Sequence, residues 1–122
     1  MDIQASLIWT KKGSADPPWI LLSVTGRLDS LNFEFLEGKL QTIRSAGNSK
    51  IVLDLSAVPF INLSAARLIS ATAEAVNSDS GSFAWIGKGG HALRHLREFI
   101  PEERFPAYAS KTDFLSSIGA SS

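Results

Sequence analysis

The chain has 122 residues, 44% of them hydrophobic and 20% charged, with 12 Lys and Arg against 12 Asp and Glu and no cysteine. That length fits one globular domain able to bury about two thirds of its unfolded surface without covalent staples. Zero net charge gives no general pull toward nucleic acid or an anionic membrane, and the lack of cysteine excludes disulfides, thiolate metal sites and thiol nucleophiles.

No window holds the roughly 18 apolar residues of a membrane span, and Met1-Asp2-Ile3-Gln4 lacks the basic and apolar regions of a secretory leader. The expectation is a cytoplasmic protein, suited to a reducing compartment, without direct membrane insertion and without a nucleic-acid partner.

Ile3–Trp9 alternates modestly and reads as a first strand. Lys11–Pro18 is rich in turn formers, and Trp19–Thr25 is a dense apolar run ending at Gly26. A connection this short without a helix implies an antiparallel hairpin. Asp29 and Ser30 are good helix starts, followed by Phe33, Leu36, Leu40 and Ile43 at helical spacing, with Gly47 as the stop.

Ile51–Leu55 is apolar except for Asp54, as expected of a strand covered on both faces. The alanine-rich Ser64–Val76 reads as a second helix burying Ala65, Leu68, Ile69, Thr72 and Val76, and Phe83–Ile86 as a fourth strand. Gly87-Lys88-Gly89-Gly90 forms a turn, His91–Phe99 a third helix with Leu93, Leu96, Phe99 and Ile100 inward, Phe105–Ala109 a short last strand, and Thr112–Ile118 a final helix capped by Thr112 or Ser110.

The order β-β-α-β-α-β-α-β-α demands right-handed crossovers and a mostly parallel sheet. The fold class expected is therefore α/β: a single mixed sheet with an N-terminal antiparallel hairpin and four helices. One domain spans residues 1–118, and Gly119–Ser122 form a frayed tail.

Few residues suggest chemistry. His91 and His95 have the spacing of metal ligands on a helix, but Ala92 stands where a zinc protease needs Glu and only Glu98 is near as a third ligand, so no metal or other cofactor is expected. The Gly87–Gly90 turn lies between strand and helix, where amides can cradle an anion, but it lacks the spacing of a P-loop; a nucleotide or small-anion binder there is the reading from a different class. Asp54 must find donors if buried. No nucleophile elbow and no acid–base pair is present, so an enzyme is not expected. Trp9, Trp19 and Trp85 lie on strands and read as core.

Three segments carry a resemblance. Gly26-Arg27-Leu28-Asp29, Ile51-Val52-Leu53-Asp54-Leu55-Ser56-Ala57-Val58-Pro59-Phe60-Ile61, and Leu93-Arg94-His95-Leu96 with Phe105 and Phe114-Leu115 follow one another in the order and spacing of the STAS domain family. That family comprises the anti-sigma-factor antagonists of bacteria and related domains of sulfate transporters. The resemblance implies a protein-interaction module whose partner is a kinase-like ATPase that is also the anti-sigma factor. The alternatives are a stand-alone STAS subunit bound to the ATPase of an ABC lipid-transport system, or a sulfate-transporter-type domain; a homodimer is also compatible.

The family carries Asp-Ser-Ser-Gly or Asp-Ser-Thr-Gly at the turn after the central strand, and the serine next to the aspartate is phosphorylated by the partner. Here those positions are Asn62, Leu63, Ser64 and Ala65, so the acceptor slot has no hydroxyl. Asp29, Asn62, Leu63, Ser64, Ala65 and Arg67 are the partner-binding residues the resemblance implies. Ser64 reads first as the helix N-cap, accepting from the Arg67 amide and contributing ~1 kcal/mol. In the alternatives Asn62 caps and Ser64 sits in the first turn, or Ser64 is a shifted phosphoacceptor.

Overall fold

The computed structural model describes residues 2–9, 17–29, 32–88, 90–96, 98 and 105–119. Along the chain these form β1 (Asp2–Ile8), β2 (Trp19–Thr25), α1 (Phe33–Ser45), β3 (Lys50–Ala57), α2 (Leu63–Ser78), β4 (Ser82–Ile86), α3 (His91–Leu96), β5 (Ala107–Tyr108) and α4 (Lys111–Ser117). The strands lie side by side in sequence order, β1 antiparallel to β2 and the rest parallel. The expected mixed sheet with an opening hairpin is thus the observed architecture.

β3 takes the middle of the sheet because both its faces are apolar. Ile51, Leu53 and Leu55 point into a core built with Phe33, Leu36 and Leu40 of α1, Ala65, Ala66, Ile69, Ala73 and Val76 of α2, and Ala92, Leu93 and Leu96 of α3. Val52 points the other way, into a smaller core where Ile8, Trp19, Leu21, Ala84 and Ile86 meet Phe114 and Leu115 of α4. Fully burying side chains of this kind contributes about 1.5–3 kcal/mol each. Phe114 fixes the seat of α4 through edge-on contacts with Trp19 and Tyr108, ring centroids 5.2 and 5.5 Å away.

Several sequence expectations need correction. α1 begins at Phe33 rather than at Asp29, because Asp29 and Asn32 first bond to each other: the Asn32 amide donates to Asp29 Oδ1 (3.2 Å) and the Asp29 amide to Asn32 Oδ1 (2.9 Å); Ser30 lies outside the described residues. In α2 the buried stripe is Ala65, Ala66, Ile69, Ser70, Ala73 and Val76, not the one containing Leu68 and Thr72. Leu68 and Thr72 instead line a groove of about 200 Å³ against Glu37, Leu40 and Arg44 of α1.

Trp9 stands 63% exposed beyond the end of β1, whereas Trp19 and Trp85 are buried as expected. β5 is only two residues long: Pro106 brings no amide to the ladder, and the Ser110 hydroxyl already caps α4 by accepting from the Asp113 amide. The expected inward positions Phe99 and Ile100, the tail after Gly119 and most of the Lys11–Pro18 connection lie outside the described residues.

Candidate functional site

The exit of β3 folds back under close backbone control. The Val58 amide donates to the Leu55 carbonyl at 3.0 Å, and buried Val58 and Ile61 anchor the turn in the core. Alongside runs the segment after β2, where Gly26 turns the chain at φ 93°, a conformation glycine adopts without strain. Three hydrogen bonds stitch the two segments: the Gly26 amide to the Ala57 carbonyl (3.4 Å), the Leu28 amide to the Phe60 carbonyl (2.9 Å), and the Asn62 amide to the Leu28 carbonyl (3.0 Å). Leu28 and Ile61 form an isolated parallel bridge at the centre of this stitch.

Asn62 then starts α2. Its backbone is extended, its side-chain Oδ1 accepts from the Ala65 amide at 2.9 Å, and its carbonyl accepts from Ala66 at 3.0 Å. The N-cap is therefore Asn62 and not Ser64, correcting the first reading of the sequence. The reason lies in the fold: the Asn62–Leu28 bond fixes where the extended backbone gives way to helix, and Ser64 falls one residue inside it. Ser64 lies exposed in the first turn.

The exposed face of this corner consists of Arg27, Leu63, Ser64 and Arg67, with Asp29 and Phe60 half-buried beside them. Leu63 is 52% exposed at the first helical position. The Arg27 guanidinium lies over the Phe60 ring, 4.9 Å from its centroid, and the Asn32 amide group ties the Arg27 carbonyl at 2.6 Å. Of the residues expected to meet a partner, Asp29, Asn62, Leu63, Ser64 and Arg67 share this corner. Ala65 does not reach it: its side chain is fully buried against the sheet, so it sets the spacing of helix and sheet instead of offering a contact.

Sequence reasoning missed the Arg27–Phe60 pair. Both residues stood in noted segments, but a cation over a ring across two loops leaves no periodic signal.

The other candidates place differently. At the Gly87–Gly90 turn the Gly87 and Lys88 amides both donate to the Tyr108 carbonyl (2.8 and 3.0 Å) and the Gly90 amide to the Gly87 carbonyl (2.8 Å), so these donors are engaged within the protein. Asp54 is half-buried and finds its donors locally, from the Ser56 amide (3.0 Å) and hydroxyl (2.6 Å). The side chains of His91 and His95 lie outside the described residues; among the described residues, no group of three or more His, Asp and Glu gathers as metal ligands, and no helix is long and apolar enough to cross a membrane.

A single mixed sheet of five strands with helices packed on both faces defines a small α/β domain. Residues 10–112 match the STAS domain family, and the chain belongs to it. A search of curated proteins finds no match.

Solved structures show the same fold. An anti-sigma factor antagonist from Mycobacterium paratuberculosis is 24% identical, with 96% of this chain and 94% of that one covered and a TM-score of 0.70. The Bacillus cell fate determinant SpoIIAA in its phosphorylated form is 13% identical over 96% and 99%, with a TM-score of 0.72. Its unphosphorylated form is 14% identical over 96% and 97%, at 0.70.

Proposed function

We propose that this domain is a non-enzymatic, cytoplasmic protein-interaction module of the anti-sigma-factor antagonist kind, and that it docks its partner at the corner formed by Arg27, Asp29, Phe60, Leu63, Ser64 and Arg67. The observation that carries the reading is Leu63, half out of water at the first position of α2 and in the slot where the family mechanism places a phosphorylated serine. A phosphate there would add about −1.5 to −2 charge and break a partner contact. Leucine offers no oxygen to receive it. The domain is thus held in the chemical state that binds, and an apolar side chain stands ready for the contact.

The family resemblance points to a kinase-like ATPase as partner; the ATPase subunit of an ABC system would use the same surface. The anion-binding reading at Gly87–Gly90 is weaker, because the Gly87, Lys88 and Gly90 amides donate to the Tyr108 and Gly87 carbonyls.

The test is a titration of wild type and Leu63→Asp against the kinase-like ATPase encoded nearest to this chain. The new carboxylate sits in an exposed first turn, where the fold tolerates it within about 0.5 kcal/mol. Buried without a partner in an interface it costs roughly 3 kcal/mol or more, so binding should weaken by about a hundredfold. Equal affinity of the two proteins would refute the docking surface. Stoichiometric phosphate on Ser64 after incubation with the ATPase and ATP would refute the unswitched state.

A further inference from the structure

The opening strand β1 (Asp2–Ile8) is an edge: β2 pairs with one side of it, and among the described residues no strand pairs with the other. Seven consecutive residues hold the antiparallel register with β2 without a bulge. A long, straight edge exposes a row of unpaired N–H and C=O groups, which proteins usually blunt with lysine, proline, a bulge or extreme shortness. The far edge obeys that rule, since β5 has two residues and follows Pro106. β1 does not. Its sequence, Asp-Ile-Gln-Ala-Ser-Leu-Ile, has no lysine, no proline and a single charge.

Alternation along the strand sorts its side chains. Ile3, Ala5 and Leu7 lie on the face that carries α1, α2 and α3, opposite Val24, Leu22 and Ile20 of β2. Leu7 is 56% exposed there, and Trp9, on the same face two residues on, is more so. Gln4 and Ser6 lie on the opposite face and are exposed. The pattern is symmetric about Ala5: polar residues flank it at one step, large aliphatic residues at two.

We propose that this edge pairs with the same edge of a second copy, antiparallel about a two-fold axis through Ala5, so that two sheets become one. In that register Ile3 of each copy faces Leu7 of the other, Gln4 faces Ser6, and Ala5 faces Ala5. The exposed Leu7 is then covered by an aliphatic neighbour on the helical face, while the amide–hydroxyl pair stays on the open face. The single charge of the strand, Asp2, lies at opposite ends of the two strands and meets no like charge, and the zero net charge of the chain adds no general repulsion. An axis perpendicular to the sheet keeps both helical layers on one side. The contact is a single strand pair, at the small end of specific interfaces, so the dimer is a weak, concentration-dependent one. It rests on the edge alone and leaves the Leu63 corner free for a partner.

The cysteine-free chain allows a direct test of the register. Directly opposed residues in an antiparallel pair have Cα atoms about 4.5–5.5 Å apart, within the span of a disulfide. Under mild oxidation Ala5→Cys should form a covalent dimer. A mixture of Gln4→Cys and Ser6→Cys should crosslink with each other in preference to themselves, and Ser78→Cys on the exposed end of α2 should stay monomeric. Sedimentation of the wild type should show a dimer that grows with concentration and is lost in Leu7→Lys, with an unchanged circular-dichroism spectrum. A wild type that stays monomeric at millimolar concentration, or Ala5→Cys crosslinking no faster than Ser78→Cys, would overturn the proposal. Preferred self-crosslinking of Ser6→Cys would overturn the register.

Discussion

Ser70 is the residue of α2 that works against the fold. Its hydroxyl is buried, 6% exposed overall, among Ala66, Ile69 and Ala73, and among the described residues no group accepts or donates a hydrogen bond to it. Hydroxyls inside helices ordinarily bond back to the carbonyl four residues earlier. Thr42 does so to Gly38 at 2.9 Å and Thr72 to Leu68 at 3.0 Å, but Ser70 does not. Replacing it by alanine removes an unpaired polar group whose burial costs about 1–3 kcal/mol. It also gains up to ~0.5 kcal/mol of helix propensity and gives up a few tenths of a kcal/mol in dispersion contacts of one atom. Ser70→Ala should therefore be more stable by about 1–2 kcal/mol. Unfolding entropy scales at roughly 2.1 cal/mol/K per residue, so for a chain of 122 residues each kcal/mol raises Tm by about 4 °C. Urea unfolding should show a higher midpoint at unchanged slope, and calorimetry a matching rise in Tm. A loss of about 1 kcal/mol instead would show that the hydroxyl is satisfied in solution and refute the reasoning.

Asn62→Ala should cost about 1 kcal/mol in the same urea assay, through the lost bond to the Ala65 amide, while Ser64→Ala should change stability by less than about 0.5 kcal/mol; the reverse order would return the cap to Ser64. Gly87→Ala should cost about 2 kcal/mol or more, because φ is 117° and the new Cβ would lie 3.0 Å from the Ser56 amide nitrogen. A thermal midpoint within a degree of wild type would contradict that geometry.

The fold was legible where side chains of distinct size repeat at a distinct period. The apolar run Ile51, Val52 and Leu53 suggests a strand buried on both faces, and Phe33, Leu36 and Leu40 the inner face of a helix. Legibility failed where small residues do the packing. Ala66 and Ala73 carry little hydrophobic signal, yet they lie against the sheet because they are small, while the larger Leu68 is displaced into the groove toward α1. The start of α2 was readable as a place, and its cap was misread. Both Asn62 and Ser64 are good caps by local chemistry, and the choice between them is made by Leu28, some thirty residues upstream, whose carbonyl holds the Asn62 amide. Trp9 reads as core by type, but it lies past the last paired residue of an edge strand.

The frame of the corner does not depend on what stands at positions 63 and 64. Backbone bonds from Leu28 and the Asn62 cap hold it, and the side chains of Leu63 and Ser64 take no part in those bonds. A serine in place of Leu63 would thus occupy the same place in the same turn, with its hydroxyl where the leucine now meets solvent. On the function proposed above, the switch turns on one side chain, and Leu63→Ser should supply it. Mixed with a kinase-like ATPase that binds the wild type, and with ATP, Leu63→Ser should gain one phosphate on the introduced hydroxyl by mass spectrometry and lose affinity as it does so, while the wild type gains none. If the partner binds both proteins and phosphorylates neither, the hydroxyl was not what the turn lacked, and the partner reads the corner by shape alone.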